Sequence, residues 1–158
     1  MASIRKLTER GFTVVELLIV IVVIGILAAL VLNSFAGVQA KARDTQRKTD
    51  INAIATQLEA CYNDTCNGTY PSLAALQQDS TGGWVETHLK GLDKNALRDS
   101  TNTLIQGSTP TATAQYQYDT SGATCTGTTV DDTCTAFTLR TWQEQNTSTP
   151  YVKNSLNK

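Results

Sequence analysis

Residues 11–32 read Gly-Phe-Thr-Val-Val-Glu-Leu-Leu-Ile-Val-Ile-Val-Val-Ile-Gly-Ile-Leu-Ala-Ala-Leu-Val-Leu, an apolar run broken by one carboxylate, Glu16. At the rise of an α-helix the stretch 12–32 reaches about 31 Å, close to the hydrocarbon thickness of a bilayer. The run is therefore expected to span a membrane. Glu16 needs a separate reason. An acid within a spanning helix costs about 2.5–3.5 kcal/mol on insertion scales, and it ordinarily marks a function and a neutralising partner. If the chain is cut after Gly11, Phe12 carries a free ammonium, and that group on a neighbouring copy is a natural counter-ion for Glu16. Charge neutralisation in a low-dielectric bundle would then draw identical helices together.

The short basic leader with Arg5, Lys6 and Arg10, its final Gly11, then Phe12, Thr13, Glu16 and the unbroken apolar stretch resemble the processing signal of type IV pilins and their pseudopilin relatives. The resemblance is good over about residues 5–62 and extends to the rest only in general layout. It implies that a prepilin peptidase cuts after Gly11 and that Phe12 is methylated. The precursor would sit in the cytoplasmic membrane until assembly machinery draws it into a helical homopolymer, with Glu16 as the assembly residue. The implied fold is α+β, a long N-terminal helix, half membrane-spanning and half amphipathic, packed on a small antiparallel β-sheet head. Its parts would be a leader at 1–11, a helix at 12–62 with 12–32 as span and filament core, and a head at 63–158 with an αβ-loop, a sheet and a C-terminal disulfide loop.

The function so implied is that of the major structural subunit of an extracellular type IV pilus supporting adhesion or motility. A pseudopilin or minor pilin of a secretion or DNA-uptake system is the nearest alternative, and a membrane-anchored extracellular binding module is a different class. An ordinary signal peptide cut near Ala36 or Ala40 fits less well, because its apolar region is about 7–15 residues and carries no acid. A plain single-pass anchor would leave Glu16 without a role. The proline often found near the end of a pilin span is absent, and Asn33, Ser34 and Gly37 stand there instead. Glycine costs a helix interior about 1 kcal/mol relative to alanine, so loosening is expected at Gly25 and Gly37.

The overall charge of -1 hides a division. Seven basic residues face four acidic ones in 1–50, whereas six face ten from residue 51 onward. An acidic head is a poor partner for nucleic acid, whose binding rests on neutralising phosphates. The four cysteines, Cys61, Cys66, Cys125 and Cys134, lack the two-residue spacing of zinc or thioredoxin motifs. An even number beyond a membrane suggests disulfides, and three connectivities are open. Short loops favour Cys61 with Cys66 and Cys125 with Cys134.

Residues 33–50 continue the helix as a solvated neck, with Asp44 and Lys48 placed for an i,i+4 pair. Ile51, Ile54, Ala55, Leu58 and Tyr62 then form an apolar stripe of helical period whose partner must come from later in the chain. Asn63, Asp64, Asn67 and Gly68 end the helix. Tyr70 and Pro71 open a stretch like the Tyr-Pro-x-Leu segment that follows the pilin stem, with Ser72 as the cap of a short helix through Gln77. Gln115–Tyr118 and 135–142 alternate polar and apolar residues as half-buried strands do, and Pro150, Tyr151 and Val152 offer an edge strand. Asn63, Asn67 and Asn146 begin Asn-x-Ser/Thr tripeptides.

The sequence offers no catalytic constellation. It lacks Gly-x-Ser-x-Gly, a phosphate-cradling glycine loop and His-Glu-x-x-His, and His88 is the one histidine. Asp131 and Asp132 adjoin in a loop, where acids are usually solvated. Asp93, Asn95 and Asp99 lie roughly where related pseudopilins have a calcium loop, but their spacing is not that of an EF-hand and the Pro-Trp-Gly sequence is missing. No metal, cofactor or enzymatic activity is expected.

Overall fold

The computed structural model describes residues 11–107 and 116–157, apart from the side chains of Asn33, Ser34 and Ala36. Most of the expected leader, and Gln115 of the first expected strand, lie outside these residues. Helix α1, Val14–Asn63, continues through Gly25 and Gly37. The chain divides into two compact units after Gln39. In the first, apolar side chains of α1 from Val14 to Leu32 are exposed, a run long and apolar enough to cross a membrane. A continuous apolar surface of this kind marks contact with lipid or with other helices.

In the second unit the helical stripe finds its partner. Ile51, Ile54 and Leu58 are fully buried against Tyr70, Leu76, Leu89, Leu97, Tyr118 and Leu139. Each such side chain contributes about 1.5–3 kcal/mol of transfer free energy. Three antiparallel strands form the sheet in the order β1-β2-β3: β1 is Tyr116–Ser121, β2 Ala136–Thr141 and β3 Tyr151–Asn154. Tyr116 lies opposite Thr141, and Thr141 opposite Tyr151. The architecture is α+β, a long helix on a small antiparallel sheet, as in pilins.

Aromatic rings knit the sheet to the helix exit. Tyr70 packs edge-on to Phe137 at 4.9 Å and beside Tyr62 at 4.7 Å. The buried Tyr118 hydroxyl donates to Pro71 O at 2.8 Å. Short helices complete the head. Helix α2, Leu73–Leu76, is capped by Ser72, whose Oγ accepts from Ala75 N and donates to Thr129 O. Helix α3 is Trp84–His88, and a 3-10 turn covers Lys94–Leu97.

Cys61 pairs with Cys66, and Cys125 with Cys134. The first bridge closes the turn that ends α1, where Asn67 and Gly68 both have positive φ and Gly68 N donates to Tyr62 O. The second closes a threonine-rich loop whose end is tied to Tyr70 by reciprocal backbone bonds with Cys134.

Two expectations are corrected. Tyr116, Gln117 and Tyr118 are all buried, so β1 does not alternate at its start. The chain at Gln106 bridges to Gln117, accepting from Tyr118 N and donating to Tyr116 O, and so covers an edge that the pattern left open. Nor is the neck solvated on every side: Asp44, Arg47 and Asp50 are buried, and Asp44 pairs with Arg47 rather than Lys48. The causes lie later in the chain: Glu144 and Gln145 return to Asp44 and Arg47, and Tyr116 donates to Asp50.

Candidate functional site

The start of α1 is built from three residues. Thr13 precedes the first helical residue, and its Oγ1 accepts from Glu16 N at 3.2 Å. Glu16 Oε2 in return accepts from Thr13 N and from Thr13 Oγ1, both at 2.8 Å. This reciprocal arrangement is a capping box, which satisfies helix N–H groups that have no intrahelical acceptor. The pattern Thr-x-x-Glu before an apolar run is visible in the sequence and gives Glu16 an intrahelical role in addition to the intermolecular one expected of it. Among the described residues Oε1 takes no hydrogen bond, so the carboxylate keeps acceptor capacity. Phe12 beside it is 87% exposed, and a Cβ at Gly11 would meet nothing within 4 Å. The helix start is thus an accessible acid next to an open chain segment and an uncovered apolar rod.

A second charged cluster binds the returning segment to the neck. Asp44 accepts from Arg47 NH1 at 2.7 Å and from the backbone N–H groups of Glu144 at 2.8 Å and Gln145 at 3.0 Å. Glu144 receives Arg43 through two nitrogens, at 2.8 and 2.6 Å, and Arg47 NH2 at 2.6 Å. Nothing in the local sequence around residue 44 announces this, because the partners lie so far along the chain.

Arg43 first and then Arg47 hold the Glu144 carboxyl down to about 2. Burial works against the Asp44 carboxylate, but the two backbone donors and Arg47 outweigh it and hold its pKa below the ordinary value. Asp50 has the opposite sign: burial raises it despite bonds from Tyr116 and Gln46. A depressed carboxylate contributes stability that is present above its unfolded pKa and lost as pH falls through the folded one. The Glu144 contribution is therefore lost between the ordinary value of 4.5 and about 2. The melting temperature of the detergent-solubilised protein is expected to fall across this window and to fall less steeply in Glu144→Gln. Equal slopes for the two proteins would show that the clamp does not set acid stability.

The remaining candidates are occupied within the head. His88 stacks on Trp84 at 4.3 Å, with Nδ1 near Thr87 Oγ1 and Trp84 O. Asp93 caps Asn95 N, and Asp99 accepts from Thr101 and Thr103. Asp132 accepts from Thr126 and Thr129 and orders the disulfide loop, a role its reading as a merely solvated acid missed. Among the described residues no group of three His, Cys, Asp or Glu side chains could hold a metal.

Residues 6–32 match the family described as the prokaryotic N-terminal methylation motif. The chain is 38% identical over 56 residues to the type IV major pilin protein PilA of Myxococcus xanthus, covering 35% of this chain and 26% of that protein. It is 39% identical over 82 residues to the type II secretion system core protein G of Pseudomonas aeruginosa, covering 49% and 56%. The corresponding protein of Vibrio cholerae is 38% identical over 72 residues, covering 46% and 47%. The matches thus span between about a quarter and just over half of these relatives. No solved structure is a significant match. By its methylation motif and by these matches, the chain is similar over part of its length to a type IV major pilin and to type II secretion core proteins.

Proposed function

We propose that this chain is a prepilin, cut between Gly11 and Phe12 and methylated at Phe12, whose mature form is the structural subunit of an extracellular type IV pilus. The observation that carries this is Gly-Phe-Thr-x-x-Glu opening an uncovered apolar helix. Before assembly the membrane shields residues 12–32; afterwards the same surface packs against copies of itself in the filament core. Burying it among other helices leaves Glu16 acceptable only if a cation accompanies it, and the freed ammonium of Phe12 in a neighbouring copy supplies one. The head then forms the outer surface. No enzymatic step is asked of the chain, and its relatives are structural proteins.

A second reading, a pseudopilin filament of a secretion system, is favoured by the greater length of the match to core protein G, 82 residues against 56 for PilA. Electron microscopy of sheared surface material separates the two readings, since long detached fibres built of this chain are expected for a pilus. The processing step has its own test. Gly11→Ala is expected to accumulate at precursor mass and to yield no protein beginning at Phe12 by N-terminal sequencing. A full yield of processed protein from that variant would remove the cleavage site from the proposal.

A further inference from the structure

Asn67 and Gly68 form the only Asn-Gly pair in the sequence. Such a pair is chemically unstable, because a glycine after asparagine has no Cβ to keep its own backbone nitrogen from the side-chain amide carbon. Both residues are exposed, and among the described residues the Asn67 side chain takes part in no hydrogen bond. A Cβ at Gly68 would meet nothing within 4 Å, so no neighbour crowds the pair. Composition, exposure and space all favour reaction.

The turn opposes it. Asn67 and Gly68 hold φ values of 52° and 75°, and Gly68 N donates to Tyr62 O at 2.9 Å. The nitrogen that would attack is thus committed to the end of α1. Cys66 N donates to Cys61 O at 2.7 Å and Thr69 N to Cys66 O at 3.1 Å, so the backbone folds back around the same point. A positive φ is unfavourable for a residue with a Cβ, and Asp64, Thr65, Asn67 and Gly68 are exposed, so packing does little to hold it. The covalent tie is the bridge between Cys61 and Cys66, five positions apart. Cys61 is 3% exposed, but the partly exposed Cys66 lines a cleft of about 420 Å³ together with Thr65 and Asn67, which leads solvent to the sulfurs.

We propose that Asn67 is a self-modification site guarded by the Cys61 to Cys66 disulfide. A thiol reductant entering the cleft reduces the bridge to two thiols and is itself oxidised to a disulfide, and the turn loses its closure. Gly68 N then loses its proton to water and bonds to Asn67 Cγ. The bond from Cγ to Nδ2 breaks, and ammonia leaves carrying a proton back from water. Water opens the resulting succinimide ring at one carbonyl or the other, leaving aspartate or isoaspartate at position 67. Either product adds a negative charge where α1 ends, and isoaspartate also lengthens the main chain there by one carbon. A reversible reduction thus leaves a permanent mark. The chemistry needs no filament and no partner protein.

Peptide mapping by mass spectrometry, on the full chain incubated in detergent at mildly alkaline pH, tests the guard. With the bridge closed the Asn67 amide is expected to persist. In Cys61→Ser combined with Cys66→Ser, and in the unsubstituted chain held in a thiol reductant, conversion at position 67 is expected to run at least tenfold faster. Asn154 precedes Ser155, whose N–H is bonded to Phe137 O, and it reports general unfolding. Its rate is expected to stay unchanged. Adding Gly68→Ala to the double variant is expected to abolish the acceleration, since a Cβ hinders the attacking nitrogen. Equal rates at position 67 with the bridge closed and open would overturn the proposal. So would a bridge that the reductant leaves closed, parallel acceleration at Asn154, or an undiminished rate with Gly68→Ala.

Discussion

Glu16→Ala is expected to abolish surface filaments while leaving the head folded and the precursor processed. At an effective dielectric constant near 20, two unit charges about 4 Å apart attract by about 4 kcal/mol, roughly three decades in the association constant of each subunit. A filament forms by repeating one association, so a loss of that size at every step leaves no polymer at cellular concentrations. Within the chain the cost is smaller, since losing a cap removes about 0.5–2 kcal/mol and only from the first turn of α1. Glu16→Gln separates the roles: its amide oxygen can still accept from Thr13 N, but it has no charge for a neighbouring ammonium. Immunoblots of sheared material should be blank for both variants. Filaments from the glutamine variant at wild-type yield would reduce Glu16 to a capping residue.

The second large effect lies at the neck. Arg47 is 1% exposed and its two terminal nitrogens reach Asp44, Glu144 and Ser100. Arg47→Met keeps the volume but strips the buried Asp44 carboxylate of its counter-ion, and removal of one partner from a buried pair costs about 3–5 kcal/mol. The matching change at Arg43, which is 43% exposed, is expected to cost less than about 1 kcal/mol despite its two bonds to Glu144. Chemical denaturation of the two variants in detergent, followed by tryptophan fluorescence, checks the contrast. A loss of under about 1 kcal/mol for Arg47→Met would mean that the backbone donors alone hold the loop.

How far the sequence could be read follows from the range of the interactions. The apolar run at 12–32 depends on composition and the Ile51, Ile54, Leu58 stripe on helical period, both local: in the structure the run from Val14 on and the stripe lie on α1, the one exposed and the other buried. Residues 116–118 of β1 and 136–141 of β2 are legible from alternation except at Gln117, where coverage by Gln106 is a tertiary event, whereas the continuation of β1 through Ser121 shows only in its pairing with β2. The buried neck charges were illegible for the same reason: Asp44 looks solvated until residues 144 and 145 return to it. At the candidate site the residue types were readable and part of the geometry was overlooked. Thr13 and Glu16 bond each other through a spacing that any helix start could have announced.

Both sulfur bridges join near neighbours in the chain, five and nine positions apart, whereas every crossed pairing would have to unite cysteines at least 59 apart. Loop closure becomes costlier with length, so the native partners meet first and most often as the chain oxidises. Oxidative maturation can then proceed without waiting for the sheet, and little reshuffling is needed afterwards. For the filament subunit proposed above, required in many copies, this is a covalent framework that assembles correctly by proximity alone.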